Sequence, residues 1–116
     1  MATRTHRIKD QREVITYGGS EGFTISRDQL DNAGIPVGTE VVVKHLDDEP
    51  GLKLQPPQPD EIYHRDKLRK IIEMGNSQGV TIKHDDLLEA DIPVGTDIEV
   101  KDLKGGPGIK AVPDPA

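Results

Sequence analysis

The chain contains the same sequence pattern twice. Residues 12–56 align without a gap with residues 69–113, at an offset of 57 positions, and nearly half of the 45 paired residues are identical. A repeat of this kind constrains the architecture before any single motif is considered. We therefore predict a duplicated module, preceded by a basic arm at 1–11, divided by a proline-rich linker at 57–68 and followed by a tail at 114–116.

One repeat is too small to be stable by itself. A segment of 45 residues buries only a modest fraction of its surface, and domains of this size usually need disulfides, a metal or a partner. The chain has no cysteine, which excludes both a disulfide and a cysteine-based zinc site. We therefore expect the two repeats to share one core. Because Phe23, Tyr17 and Tyr63 are the only aromatic residues, that core must be aliphatic.

Each repeat has the pattern of a β-hairpin, a short helix and a second β-hairpin. The β-prone runs end at glycines, which allow the positive φ angles that hairpin turns need. In the first repeat we expect strands at 14–17, 23–25, 39–43 and 52–54, with a turn at 18–22. In the second repeat we expect strands at 71–74, 80–82, 96–100 and 109–112, with a turn at 75–79. The predicted fold class is mainly β with short helices.

The helix of the first repeat carries clear boundary signals. Ser26 and Gln29 have the spacing of a capping box. Leu30 and Ala33 form an apolar side, and Gly34 is a natural left-handed terminator. In the second repeat the helix is expected to begin at Asp85 or Asp86, to turn Leu87, Leu88 and Ala90 inward, and to end at Asp91.

The charge distribution is uneven. The net charge of −6 argues against a nucleic-acid-binding protein, for which a basic domain is the usual signature. However, eight of the fifteen basic residues form two short runs, each of which leads into a repeat. A generally acidic, solvated surface is the alternative interpretation of this pattern, and such a surface also suits the salt-rich cytoplasm of a halophilic archaeon. The basic residues of the two runs are Arg4, Arg7, Lys9, Arg12, Arg65, Lys67, Arg69 and Lys70.

No apolar stretch approaches the roughly 20 residues that a transmembrane helix needs, and the N-terminus has no hydrophobic signal region. We therefore expect a cytoplasmic protein that does not contact a membrane.

The linker contains Pro56, Pro57 and Pro59, and proline-rich segments are stiff and extended. A dozen such residues could span roughly 35 Å at about 3.1 Å each. That length permits the repeats to pair within one chain but does not require it.

The second repeat resembles the SpoVT/AbrB superfamily, which includes AbrB transition-state regulators and MazE-type antitoxins. The most specific matches are Gly-Asn-Ser-Gln-Gly at 75–79 and Ile-Pro-Val-Gly-Thr at 92–96, at their mutual spacing. The resemblance covers 69–113 well and 12–56 more loosely. It implies a swapped-hairpin β-barrel, here as an intrachain pseudo-dimer, that binds double-stranded DNA. The family often has proline just after the return strand, where this chain has Ser26 and Lys83.

The resemblance also implies that the first hairpin of each repeat and the basic residues around it contact DNA. A β-ribbon fits the major groove, where asparagine and glutamine can pair with adenine and arginine with guanine or a phosphate. A glycine-rich turn that plays no part in binding is the alternative. The predicted DNA-binding residues are Arg69, Lys70, Asn76, Ser77 and Gln78, with Arg12, Ser20, Arg27, Arg65 and Lys67 in support.

The two repeats differ at these positions. Gly19 and Glu21 stand where the second repeat has Asn76 and Gln78, and a glutamate repels phosphate. We therefore expect the second repeat to make most contacts with DNA. Two alternatives remain: a protein-interaction or homo-oligomerisation module that has lost DNA binding, and an antitoxin that binds a toxin-like protein. The second alternative is weakened because only Asp114, Pro115 and Ala116 follow the last predicted strand.

Catalytic and metal-binding patterns are weak. His64-Arg65-Asp66 resembles a kinase catalytic triplet, but the rest of the kinase signature is missing. We expect the carboxylates to be scattered on the surface, without a buried pair. We therefore expect no enzymatic activity, no cofactor and no metal site. The four histidines, His6, His45, His64 and His84, do not show the spacing of metal ligands.

Overall fold

A computed structural model describes residues 11–114, apart from the side chains of Gln11 and Asp66. The predicted basic arm therefore lies outside the described residues except for Gln11, and so do residues 115 and 116 of the predicted tail. The described chain is mainly β with two short helices, which confirms the predicted fold class. Neither of these helices has the length and the apolar character that crossing a membrane requires.

The elements recur in the same order in both repeats, each 57 positions after its counterpart. The first repeat forms β1 (Gln11–Glu13), β2 (Ile15–Tyr17), β3 (Ser20–Ile25), α1 (Arg27–Asn32), β4 (Glu40–His45) and β5 (Leu52–Gln55). A 3₁₀ turn at Arg65–Lys67 then leads into the second repeat. That repeat forms β6 (Leu68–Lys70), β7 (Ile72–Met74), β8 (Ser77–Ile82), α2 (His84–Glu89), β9 (Asp97–Asp102) and β10 (Ile109–Pro113).

Strands of both repeats enter both sheets. A six-stranded sheet has the order β1-β9-β10-β5-β4-β6, and a four-stranded sheet has the order β2-β3-β8-β7. All of these pairings are antiparallel and lie within the one chain. β6 lies 57 positions after β1, and β4 lies 57 positions before β9. The pairing of β1 with β9 therefore corresponds to the pairing of β6 with β4. The described structure therefore has an approximate twofold symmetry.

The first strand of each repeat is interrupted where the chain passes from one sheet to the other. The prediction placed one strand at 14–17 and one at 71–74, and it missed β1 and β6. Val14 and Ile71 lie between the paired strands, are fully buried and keep a backbone hydrogen bond. The Val14 N–H donates to the Thr96 carbonyl at 3.0 Å, and the Ile71 N–H donates to the Thr39 carbonyl at 2.9 Å. The strands are therefore longer than their apolar runs because polar residues continue them.

The first hairpin of each repeat is tighter than predicted. Each turn has only two residues, and the return strands begin at Ser20 and Ser77. Gly18 and Gly19 both have positive φ, which is the pattern of a type I′ turn. In the second hairpin only Gly75 has positive φ, as in a type II′ turn. The five-residue turns predicted at 18–22 and 75–79 were therefore wrong, because their last three residues belong to strands.

Gly22 and Gly79 are required for close packing rather than for turning. They lie inside β3 and β8, the central strands of the four-stranded sheet. A Cβ atom on Gly22 would lie 2.1 Å from the Val80 carbonyl oxygen, and one on Gly79 would lie 2.2 Å from the Phe23 carbonyl oxygen. These distances are far shorter than any van der Waals contact, so only glycine allows the two hairpins to approach this closely.

The core lies between the two sheets and is built from both repeats. Phe23 of β3 faces Val80 of β8 across the twofold axis, and both are fully buried. All other members of the core cluster are aliphatic, as composition predicted. Each repeat supplies about half of the cluster. Neither could bury its apolar face without the other.

The helix boundaries follow the local signals closely in α1 and less closely in α2. The Ser26 side chain caps α1 by accepting from the Gln29 N–H at 3.2 Å, and Gly34 has φ +78°. Asp91 adopts the same left-handed conformation, with φ +66°. However, α2 begins at His84, before Asp85 and Asp86, with Lys83 as an N-cap that makes no side-chain hydrogen bond. Leu88 was wrongly predicted to face inward and is 51% exposed.

Candidate nucleic-acid interface

One cleft brings two predicted DNA-binding residues together from different repeats. The hairpin cleft, as we name it, has a volume of about 220 Å³ and lies beside the tip of the first hairpin. Ser20 reaches it from β3 and Arg69 from β6. Because these residues belong to different repeats, the cleft exists only when the repeats are paired. Its lining residues are Gly19, Ser20, Glu21, Arg69, Thr81, Ile82, Lys83 and His84.

Strand alternation decides which basic residue of the Arg69-Lys70 pair reaches the cleft. Arg69 lies opposite Val41, a core residue, so its side chain starts on the inner face of the six-stranded sheet. At the edge of that sheet it extends to the cleft and is half-buried. Lys70 lies opposite Glu40 on the outer face and is exposed. The structure therefore separates two neighbours that the sequence suggested would act together.

Arg12 occupies the position in the first repeat that corresponds to Arg69. It lies opposite Ile98, again on the core side of a strand at the sheet edge. Its Nη1 donates to Thr24 Oγ1 at 3.4 Å, which directs the guanidinium towards the four-stranded sheet. Arg12 and Arg69 therefore flank that sheet from its two sides. The approximate twofold symmetry relates the positions of the two arginines.

The tips of the two first hairpins are in contact. The backbone N–H of Gly75, in the second turn, donates to the hydroxyl of Tyr17, at the end of β2, at 3.1 Å. Asn76 follows Gly75 in the turn and is exposed, with its amide available to solvent. This contact joins the second turn to the end of β2, although the register of β3 with β8 places the two turns at opposite ends of these strands.

Ser77 and Gln78 lie at the start of β8 and are both half-buried. Gln78 is opposite Ile25, so it starts on the core side of the strand, at the rim of the four-stranded sheet. Ser77 lies on the other side, opposite Met74. Ser77 and Gln78 therefore lie on opposite faces of β8, and Asn76 is exposed in the turn that precedes them.

An ion pair lies in the hairpin cleft. His84 Nδ1 and Glu21 Oε1 are 2.9 Å apart. The hydrogen bond to Glu21, together with the negative charge of that carboxylate, raises the pKa of His84 above its ordinary value of 6.5. The glutamate that would repel a phosphate is therefore partly neutralised by a histidine of the other repeat. The cleft becomes less negative as His84 takes up a proton.

Two basic residues of the cleft were not among the predicted site residues. Lys83 and His84 occupy the positions of Ser26 and Arg27 in the alignment of the repeats. Arg27 was itself predicted to contact DNA, so the alignment contained a signal for His84. The local sequence does not predict that Lys83 and Arg69 line the same cleft. They meet there only because the tertiary structure packs the two sheets together.

The remaining predicted residues lie away from the hairpin cleft. Arg27, at the start of α1, is exposed and borders a separate shallow cavity that Glu73 also lines. Arg65 is exposed beside Tyr63, next to the linker. Lys67 forms an ion pair with Asp86, a residue of α2 that is only 5% exposed. The first two could still meet a long ligand, whereas Lys67 is engaged within the protein.

Asp86 corrects the expectation that the acidic residues are all on the surface. It is buried beside Lys67 and His45, which come from other elements.

Comparisons of this chain with protein-family models, with curated proteins and with solved structures give no match. Its function must therefore be inferred from its own residues.

Proposed function

We propose that this chain is a sequence-specific DNA-binding transcriptional regulator of the SpoVT/AbrB type. In this proposal its two repeats form one swapped-hairpin barrel, and the first hairpins contact the duplex. The observation that carries the proposal is the contact between the two hairpin tips, through Tyr17 and Gly75, with Arg12 and Arg69 on either side. A surface made of two β-ribbon tips between two arginines suits a major groove flanked by two phosphate backbones.

The exchange of strands between the repeats supports the proposed barrel. β1 of the first repeat pairs with β9 of the second, and β6 of the second pairs with β4 of the first. Each repeat thus completes the sheet of its partner. In the family, two chains provide this exchange, and we propose that the linker allows one chain to provide it here. A dimer of whole chains is then unnecessary for folding.

The chemistry of the hairpin tips supports readout of bases in addition to phosphate binding. Asn76 is exposed on the turn, and an asparagine amide can pair with both N6 and N7 of adenine. Arg69 can contact a guanine or a phosphate. With a net charge of −6, the protein gains little from general electrostatic attraction to DNA. Specific hydrogen bonds must therefore supply much of the affinity.

The repeats should contribute unequally to this interface. Gly19 takes the place of Asn76 in the first hairpin, and Glu21 takes the place of Gln78. A carboxylate in the hairpin cleft opposes a phosphate there, although His84 offsets part of its charge. We propose that the second hairpin makes most base contacts and that the first supports it. A protein with this asymmetry should prefer a non-palindromic site.

Selection from a random duplex pool tests the proposal, at low salt and in molar potassium chloride. The double variant Arg69→Ala/Asn76→Ala should lose the enriched motif. Lys104→Ala is a matched control, because it removes one exposed positive charge from the turn between β9 and β10. An enriched motif that survives in the control but not in the double variant supports the proposal. Equal enrichment by wild type and double variant would show that the hairpin tips do not read DNA.

Glu21 favours a second candidate function, a protein-interaction module without DNA binding. Its carboxylate lines the cleft and is held there by His84. If no motif is enriched at either salt concentration, this second function becomes the better account. Glu21→Gln then distinguishes the two, because a DNA-binding cleft should gain affinity for DNA when the carboxylate is removed. A protein-binding cleft should show no such gain.

A further inference from the structure

Three potential metal ligands meet where the end of β4 packs against α2. His45 is the last residue of β4, and Asp86 and Glu89 lie one helical turn apart on α2. One ligand atom from each residue lies within 4.8 Å of the other two. We call these three residues the His45 cluster. Because β4 belongs to the first repeat and α2 to the second, the cluster contains side chains from both repeats.

The three side chains of the His45 cluster make no hydrogen bond to one another, although Asp86 Oδ1 accepts one from Lys67 Nζ. His45 Nε2 is buried and makes no hydrogen bond. It lies 3.6 Å from Asp86 Oδ1 and 3.5 Å from Glu89 Oε1, which is too long for hydrogen bonds of normal strength. A buried polar atom without a partner costs free energy. A cation would give His45 Nε2 a partner, and the carboxylates of Asp86 and Glu89 lie close enough to share that ion.

The separations agree with those between ligands of one metal ion. Bonds of about 2.0–2.2 Å from zinc to histidine nitrogen or carboxylate oxygen place tetrahedral ligand atoms about 3.3–3.6 Å apart. The distances from His45 Nε2 to the oxygens of Asp86 and Glu89 fall in this range. The third separation, between the carboxylate oxygens of Asp86 and Glu89, lies within 4.8 Å.

At the equivalent place in the other half of the molecule, a hydrogen-bonded side chain joins the helix to the strand. There the Gln29 side chain donates from Nε2 to the Val100 carbonyl at 3.0 Å and to Asp102 Oδ1 at 3.4 Å. A neutral donor thus joins the helix to the strand in that half. The His45 cluster carries an imidazole and two carboxylates instead, and the donor to Asp86 there is the Lys67 ammonium group. The counterparts of His45, Asp86 and Glu89 in the repeat are Asp102, Gln29 and Asn32.

We propose that His45, Asp86 and Glu89 bind a divalent cation of the zinc type, which cross-links the two repeats. An imidazole with two carboxylates suits Zn²⁺ better than Mg²⁺, which prefers oxygen ligands alone. Lys67 already donates to Asp86, so its ammonium group competes with the ion for that carboxylate. The inference does not rest on DNA binding, because the His45 cluster is made of residues outside the hairpin cleft.

Calorimetric titration of the whole chain with Zn²⁺ tests the site. Wild type should bind one equivalent, and His45→Asn and Glu89→Gln should each weaken binding at least tenfold. Glu89 is 65% exposed, so its variant keeps the fold even if His45→Asn does not. His84→Asn is the matched control, since it removes one exposed imidazole from the start of the same helix, and its affinity should equal that of wild type.

Two further measurements separate a built site from general binding to histidine. Lys67→Gln should bind Zn²⁺ more tightly than wild type, because the competing ammonium is gone. Zn²⁺ should also raise the unfolding temperature of wild type and of His84→Asn, but not of Glu89→Gln, because an ion bound only by the folded state stabilises it. Equal Zn²⁺ affinity for wild type, Glu89→Gln and His84→Asn would overturn the proposal, as would a Lys67→Gln variant that binds more weakly.

Discussion

Lys53 of β5 lies directly opposite Lys110 of β10, on the approximate twofold axis of the six-stranded sheet. The same register places Lys44 opposite Lys53 and Lys101 opposite Lys110. Four lysines therefore form one row across four adjacent strands, at the spacing of about 4.8 Å between neighbouring strands. Lys44 and Lys101 are counterparts in the repeat, as are Lys53 and Lys110, so duplication of two lysines created the row.

Carboxylates balance much of this row. Lys44 pairs with Glu61 of the linker, Lys110 lies 3.6 Å from Glu49, and Lys101 lies 3.9 Å from Glu99. The hydrogen bond from Lys44 is the main reason why the pKa of Glu61 is lowered. The linker is thereby held against the outer face of the six-stranded sheet. Lys44 of this row thus has a structural role in fixing the linker between the repeats.

We expect replacement of Lys53 to stabilise the protein at low salt. Opposite charges directly across a sheet contribute about 0.2–1 kcal/mol per pair, whereas like charges in that position are destabilising. Lys53→Gln removes the repulsion and Lys53→Glu replaces it with attraction to Lys44 and Lys110, although Glu61 opposes part of the second gain. The stability measured by urea unfolding should rise from wild type to the glutamine variant. In 1 M salt, where the screening length is about 3 Å, the difference should nearly vanish.

Alanine at Gly22 or Gly79 should disrupt the fold. The added methyl group would lie 2.1 Å or 2.2 Å from a carbonyl oxygen of the neighbouring central strand. Overpacking of this kind costs roughly 1–3 kcal/mol and sometimes more. Gly106→Ala is the control, because a Cβ there meets nothing within 4 Å and the residue does not have positive φ. A Gly22→Ala protein that unfolds at the same urea concentration as Gly106→Ala would contradict the close approach of β3 and β8.

The His84–Glu21 pair should make stability depend on pH. The folded state raises the pKa of His84 above 6.5, so its contribution is complete below that pH. The contribution is lost as pH rises through the higher folded value. Unfolding curves of wild type and His84→Gln should therefore converge at alkaline pH and separate in favour of wild type at acid pH. A difference that grows with rising pH would show that the pair does not act in this way.

The same pair should affect DNA binding if the proposed function is correct. Deprotonation of His84 leaves the charge of Glu21 uncompensated in the hairpin cleft. DNA affinity of wild type should therefore fall as pH rises through the pKa of His84. The Glu21→Gln variant should show a weaker dependence on pH. Fluorescence anisotropy with a selected duplex would measure both, and a steeper fall in the variant would contradict the role given to Glu21.

Removal of the Tyr17 hydroxyl should loosen the contact between the hairpin tips. Tyr17→Phe loses the acceptor of the Gly75 N–H, and one hydrogen bond of this kind contributes about 0.5–1.5 kcal/mol. Hydrogen exchange at the Gly75 amide should become faster, while exchange at buried Val80 of β8 should change much less. If Gly75 exchanges at the wild-type rate in the variant, the contact does not hold the tips together in solution.

Short-range patterns predicted most of the fold. Helix α1 was predicted from the capping side chain of Ser26 and the terminating Gly34, because both act on neighbouring backbone groups. The aliphatic core followed from composition, and the pairing of repeats was expected from the small size of one copy. Strand ends were less accurate, as at Ser20 and Ser77, because polar residues continue a strand once its partner provides hydrogen bonds.

Sequence alone therefore determined the duplication, the order of elements and the residue types of the core, because these depend on spacing within one repeat. Only the tertiary structure decided that Arg69 enters the hairpin cleft while Lys70 faces the other side, and that Asp86 is buried beside Lys67. The same holds for His45, which meets Asp86 from a distant part of the chain. Such neighbours arise where strands and helices of different repeats pack together. The register between paired strands brings together residues that share no local sequence pattern.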